Sequence, residues 1–366
     1  MEIGIIGLPQ SGKTTVFNAL TAGKAQTAAH GGGGDKPNLG VAKVMDPRID
    51  ILTRMFKPKK TVYAEVKYID LPGAPPGLGK SEGIAGQYLN HMAKTDALLH
   101  VVRAFKNESV PHVQVTVDYD RDISSMNMEL AFADMAIMER RLERIDASAK
   151  SAKPTEREAA QREKVVIARI KADLEKDIPV REQQISDDER RTLENYAFLT
   201  SKPLLLGVNI GEESLSEADK MEESLAKRYG APNCKAVTLC GKLEAELAQL
   251  SDAEAEEFRK SMNLKESSLN RMIRLSHELL GLIPFFTVGP DEVRAWMVRK
   301  GSLAPKAAGK IHTDIERGFI RAEVISYKDM IDCSTLAEAR KRGLLRLEGK
   351  SYVVQDGDII NFLHNE

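Results

Sequence analysis

The stretch Gly7-Leu8-Pro9-Gln10-Ser11-Gly12-Lys13-Thr14, followed directly by Thr15, restricts the fold of this chain more than any other. It lies between the apolar run Ile3-Gly4-Ile5-Ile6 and Val16-Phe17-Asn18-Ala19-Leu20, so the order is strand, glycine-rich turn, helix. That is the context and spacing of a Walker A phosphate loop. Gly7 and Gly12 let the backbone close around an oligophosphate, while the turn Pro9-Gln10-Ser11 and the helix start through Thr15 form the candidate nucleotide cradle. Lys13 can reach the β- and γ-phosphates and is the first candidate catalytic residue. Thr14 offers a hydroxyl to Mg²⁺.

A chain of 366 residues implies two or three domains with a real core. Its 53 Lys and Arg against 54 Asp and Glu leave no global basic field, so DNA is not an expected partner and any RNA contact is a local patch. Cys234, Cys240 and Cys333 lack metal-ligand spacing and fit a reducing compartment. Met1 stands directly before the first strand and no apolar run is long enough for a bilayer; a cytoplasmic protein with no membrane partner is expected.

Residues 22–37, centred on Gly31-Gly32-Gly33-Gly34, have the composition of a mobile loop, either a first switch or a linker. A strand-like run from Thr61 to Ile69 ends in Asp70-Leu71-Pro72-Gly73. In that position Asp70 holds Mg²⁺ through a water and Gly73 offers its amide to the γ-phosphate. Ala74 stands where a Ras-like enzyme has the Gln that orients the attacking water. Ala97–Val102 reads as a buried parallel strand, with His112 in a loop beyond it.

From about Ser124 the pattern becomes helical: Met126, Leu130, Ala133, Ile137, Leu142 and Ile145, a break before Pro154, then Val166, Ile170 and Leu174. An antiparallel hairpin is expected, and Ser186-x-x-Glu189 opens a further helix running through Leu199. Two more strands follow, ending in Asn209-Ile210-Gly211-Glu212 and Cys240-Gly241-Lys242, the places of base-recognition loops. A guanine reader has Asn-Lys-x-Asp there. Ile210 in place of the Lys, and Glu212 one methylene longer than Asp, remove the strict guanine reader, so ATP acceptance is expected with GTP tolerated. The residues beyond Pro284 alternate short strands and helices, as in a small α+β roll.

This order resembles the YchF subfamily of Obg-like P-loop NTPases almost end to end. The likeness rests on Gly7–Thr15, Pro37-Asn38-x-Gly40-Val41, Asp46-Pro47-Arg48, Asp70-x-x-Gly73, Val102-Arg103-x-Phe105, Asn209-x-x-Glu212, Glu292-Val293-Arg294-Ala295-Trp296, Glu316-Arg317-Gly318-Phe319-Ile320-Arg321-Ala322-Glu323-Val324 and Gln355-Asp356-Gly357-Asp358. It implies an α/β G domain in two parts, 1–123 and 201–281, an inserted helical coiled coil, 124–200, and a ubiquitin-like TGS domain, 282–366. It further implies ATP hydrolysis in preference to GTP, with Mg²⁺ as cofactor and a ribosome or ribosomal RNA as partner. His112 falls where the family places a histidine proposed to replace the missing Gln, and so becomes the second candidate catalytic residue. Nucleotide contacts are expected from Gly7, Pro9 to Thr15, Gly73, Asn209, Ile210, Glu212, Cys240 and Gly241, with Thr14 and Asp70 on the metal.

The chain departs from that pattern at Gln10 and Ser11, where Asn and Val are usual, and in Gly34-Asp35-Lys36-Pro37-Asn38, which lacks the family's Thr. Unless Thr27 supplies the second metal-ligating hydroxyl, slow hydrolysis is expected. The alternative reading is a nucleotide-dependent RNA- or protein-binding module with negligible hydrolysis.

Overall fold

The structure is a computed structural model and describes residues 1–21, 37–71, 84–148, 153–262, 264 and 266–365. Thr27, Gly34, Gly73 and Ala74, each given a role above, lie outside the described residues. The chain begins with β1 (Glu2–Ile6), α1 (Lys13–Thr21), β2 (Asn38–Lys43), α2 (Pro47–Phe56), β3 (Lys60–Val62) and β4 (Glu65–Asp70). Then come α3 (Ile84–Lys94), β5 (Ala97–Ala104), α4 (Tyr119–Ser148), α5 (Pro154–Leu174) and α6 (Asp187–Leu193). β6 (Leu204–Ile210), α7 (Ala218–Tyr229), β7 (Cys234–Leu239), α8 (Gly241–Leu247), α9 (Asp252–Ser261) and α10 (Ser268–Leu279) follow. The last stretch holds β8 (Leu282–Val288), β9 (Glu292–Arg299), α11 (Ala304–Ile311), α12 (Thr313–Arg317), β10 (Phe319–Ile325), α13 (Tyr327–Cys333), α14 (Leu336–Lys341), β11 (Arg346–Glu348) and β12 (Ile359–His364).

Two compact units result, one from Met1–Val41 with Lys67–Met272, the other from Ala42–Val66 with Ile273–Glu366. The first carries a sheet in the order β2-β4-β1-β5-β6-β7. Its centre is parallel: β1 pairs with β4 and β5, β5 with β6, and β6 with β7. The reason is visible in the residues, since every position of β6 is buried and β5 is buried from Ala97 to Arg103, as strands covered on both faces must be. Register sets the site. Ile5 stands opposite Asp70, Ile6 opposite His100, Arg103 opposite Asn209, and Asn209 opposite Leu239, so the turns after β1, β4, β5, β6 and β7 all leave from one edge of the sheet. Ligands of open α/β sheets bind at that edge.

The helical insertion belongs to the first unit. Glu139 pairs with Lys171 and Arg141 with Glu163, so α4 and α5 run antiparallel. The expected apolar stripe is buried at Met126, Leu130, Ala133, Ile145, Ile170 and Leu174, but Met138 takes the centre while Ile137 and Leu142 pack at its margin. Asp134, fully buried, accepts hydrogen bonds from the Leu199 and Thr200 amides at 2.8 Å each and from the Thr200 hydroxyl at 2.6 Å. The middle of α4 is thereby fastened to the turn that leads into β6. Ser186 and Glu189 form the expected capping box, yet α6 ends at Leu193 instead of Leu199 because Ala197, at φ +49°, turns the chain away.

The second unit has a sheet in the order β11-β10-β12-β8-β9-β3 with apolar clusters on both faces. Thr61–Ile69 is therefore two strands, not one run. β3 pairs in parallel with β9, Lys60 opposite Glu292 and Val62 opposite Arg294, and the chain breaks at Tyr63-Ala64 before β4. This pairing draws 42–66 to the C-terminal unit, although sequence order alone keeps it with the nucleotide part. Among the described residues no helix is long and apolar enough to cross a membrane.

Candidate functional site

Gly7 and Gly12 hold backbone conformations that a side chain would not tolerate. At Gly7, φ is +152° and an added Cβ would lie 2.4 Å from the Val101 carbonyl oxygen; at Gly12, φ is +92° and a Cβ would lie 2.3 Å from the Asn209 amide nitrogen. The turn therefore packs directly on β5 and β6, and α1 starts from it with the Val16 N–H donating to the Gly12 carbonyl at 2.9 Å. Lys13, 7% exposed, donates from Nζ to the Gly7 and Leu8 carbonyls at 3.1 and 3.0 Å. Burial pushes its ammonium down to about 8, with the Asp70 charge working against that shift. A polyphosphate arriving at the turn restores the cation's electrostatic partner.

Thr14 Oγ1 donates to Asp70 Oδ2 at 2.9 Å, and Asn38 Nδ2 donates to the same oxygen at 3.3 Å. The other oxygen, Asp70 Oδ1, is buried with no hydrogen-bond partner among the described residues. Burial raises the Asp70 carboxyl, while Thr14, Asn38 and the Lys13 charge lower it. An orphaned carboxylate oxygen beside a threonine hydroxyl fits a hard divalent cation. The described residues contain no group of three or more His, Cys, Asp or Glu able to hold a metal, so such a cation takes its remaining oxygens from nucleotide and water.

Beneath the phosphate loop, Asn209 donates from Nδ2 to the Ser11 carbonyl at 3.1 Å and accepts at Oδ1 from the Gly241 N–H at 2.9 Å. One buried amide thus joins the phosphate loop to the loop after β7. Glu212 accepts from Lys242 Nζ at 2.8 Å on the surface. A cavity of about 810 Å³ connects these parts, with Gln10, Gly12, Lys13, Thr14, Thr15, Asn209, Ile210, Glu212 and Cys240 in its lining. Of the other expected contacts, Gly7, Ser11 and Gly241 bond to residues of that lining from behind, and Pro9 is outside it. The structure adds Phe105, Asn107, Val110, Lys242 and Gln249 to the wall. Position was the available signal for these, because Phe105 directly follows β5 and Lys242 is in the first turn of the helix after β7.

His112 does not line the cavity. Its side chain is 3% exposed, with Nε2 2.8 Å from Asp122 Oδ2 on α4 and Nδ1 accepting from the Gln114 N–H at 3.1 Å. The Asp122 contact makes Nε2 the protonated nitrogen. Neither ring nitrogen is open to a water in this arrangement.

Comparison with known proteins follows the same lines. A family model described as "50S ribosome-binding GTPase" matches residues 2–135, and the YchF-GTPase C-terminal model, described as a protein of unknown function, matches residues 282–365. The chain is 39% identical over 368 residues to the ribosome-binding ATPase YchF of Bacillus subtilis (strain 168), covering 100% of this chain and 99% of that one. It is likewise 39% identical over 367 residues to the ribosome-binding ATPase YchF of Escherichia coli O157:H7, with the same coverage. The solved structure of the Schizosaccharomyces pombe YchF GTPase superposes with a TM-score of 0.85 at 31% identity, covering 99% of this chain and 97% of that chain.

Proposed function

The chain belongs to the YchF family of P-loop NTPases, and on that footing we propose that it is a slow, Mg²⁺-dependent ATPase that tolerates GTP and serves in the cytoplasm as a ribosome-associated nucleotide switch. The observation that carries this reading is the phosphate end of the cavity: a buried Lys13 held over the turn, and a Thr14–Asp70 pair with one carboxylate oxygen unused. When bound there, Mg²⁺ supplies charge neutralisation for the transferring phosphoryl group. Thr14 and Asp70 hold it, Lys13 holds the β- and γ-phosphates, and the amides from Gly12 to Thr15 line the cradle, so catalysis is positioning and electrostatics. Gly73 contributes its amide to the γ-phosphate in this scheme. Ile210, Glu212, Cys240 and Gly241 surround the base, with Asn209 fastening their loops to the phosphate loop, and the loss of the guanine-reading Asn-Lys-x-Asp favours adenine.

His112 positions the attacking water only once its Asp122 pair opens, which accounts for slow turnover. The α4–α5 hairpin is read as an inserted coiled coil and residues 282–366 as a TGS domain, the two elements offered to the ribosome. The closed His112–Asp122 pair also favours the second reading, a nucleotide-dependent binding module that leaves ATP intact. Single-turnover phosphate release with and without ribosomes separates the two. Slow release from ATP, faster than from GTP, is expected; bound ATP that stays intact over hours in both conditions selects the binding module.

A further inference from the structure

Arg103, the last residue but one of β5, stands beside Asn209 of β6 in the parallel register, so two neighbouring side chains reach under the phosphate loop. Arg103 is 2% exposed. Its Nη2 donates to the Val110 carbonyl at 2.7 Å, Nε to the Phe105 carbonyl at 3.1 Å, and Nη1 lies 3.5 Å from the Gln10 carbonyl. The guanidinium carbon stands 4.5 Å from the centre of the Phe105 ring. Among the described residues no carboxylate is ion-paired with it, and the Asp122 charge acts on it only from beyond contact. Burial draws its pKa down, but a guanidinium keeps its proton.

A buried cation without a paired anion is expensive, and three carbonyls take one hydrogen bond from each of its nitrogens without cancelling its charge. All three partners belong to the nucleotide site. Phe105 and Val110 line the cavity, and Gln10 is a non-glycine residue of the phosphate loop at φ +62°, a region that side chains avoid. The Phe105 ring edge would also stand 4.0 Å from a Cβ built on Gly12, so the ring borders the loop itself.

We propose that Arg103 is a positioning residue for the bound nucleoside triphosphate, holding the Phe105 wall in place and joining it to the Gln10 turn. The inference rests on the cavity being a triphosphate site. A lysine at this position keeps the charge but has no planar fork to reach separate carbonyls while stacking on a ring.

The test is a double-mutant cycle on the full chain with Arg103→Lys and Phe105→Leu, reading ATP affinity by calorimetry, the split between KM and kcat, and thermal stability. Arg103→Lys is expected to weaken ATP binding and raise KM about tenfold, the loss of one charge-assisted hydrogen bond, with kcat within about threefold. Phe105→Leu is expected to weaken ATP binding in the wild-type background and to add little once Arg103 is changed. If Arg103→Lys does not fold, Arg103→Gln carries the same cycle. Wild-type affinity in a folded Arg103 variant, or strictly additive losses, overturns the inference while leaving the proposed function standing. A wild-type chain that binds no ATP overturns both.

Discussion

At the phosphate end of the cavity Lys13, Asp70 and Asn209 are 7%, 4% and 4% exposed, whereas at the base end the Glu212 and Lys242 side chains are 47% and 73% exposed. The first group is held by buried and part-buried hydrogen bonds: Lys13 to the Gly7 and Leu8 carbonyls, Asn209 to the Ser11 and Gly241 backbone, Asp70 to the Thr14 and Asn38 side chains. The second is a pair of long side chains meeting in solvent. Hydrogen bonds inside a low-dielectric site are strong and their loss is costly, while an exposed ion pair contributes little. On the proposed reading, the phosphate end fixes what class of ligand enters, and the base end can change its preference without disturbing the fold.

The largest effect that this division requires is at Lys13. Lys13→Ala should lower single-turnover phosphate release by about a hundredfold or more, as loss of a preorganised charge does. Release at the wild-type rate would place the chemistry elsewhere. Asn209→Ala comes next, because it leaves the Ser11 carbonyl and Gly241 N–H unpaired in a buried place. A destabilisation of about 1–3 kcal/mol, read by urea unfolding, and ATP binding about tenfold weaker are expected.

His100 extends the contrast to pH. It lies on β5 opposite Ile6, the residue before the phosphate loop, with both ring nitrogens buried and without partners among the described residues. Burial, aided by the Lys13 charge, pushes it down to about 3. A folded pKa below the unfolded value of about 6.5 gives stability that is complete above that value and lost as pH falls toward 3, because the unfolded chain takes up the proton first. By pH 5 the loss is about 2 kcal/mol. His100→Leu should remove that part of the acid sensitivity; an unchanged drop in stability between pH 7 and pH 5 would show that the imidazole finds a partner.

The smallest effect belongs to the base end. Lys242→Ala should change ATP affinity by less than about threefold, the worth of an exposed pair. A loss as large as that of Asn209→Ala would erase the distinction between the two ends.

Most of the phosphate end was legible in the residues, since glycine spacing, Lys13 and Thr14 each answer a local requirement of a strand–turn–helix. Asp70 was legible by order along the chain. The roles of Asn209 and Arg103 as clamps beneath the loop were not, because they depend on the register between β5 and β6, which no local pattern encodes. The same holds for Asp134, whose burial against Leu199 and Thr200 depends on a contact sixty-five residues along the chain. At His112 the catalytic role comes from the family resemblance alone, and the structure adds the partner that no local pattern shows: Asp122, ten residues further on, which a helix start brings to the ring. The split of Thr61–Ile69 into strands of two sheets likewise depends on β9, more than two hundred residues away.

Calorimetric titration of Mg·ATP into the folded full-length chain tests the central claim most directly. One saturable site per chain, tighter than millimolar and lost in Lys13→Ala, is the predicted result. A folded chain that takes up neither ATP nor GTP at millimolar concentration would contradict it.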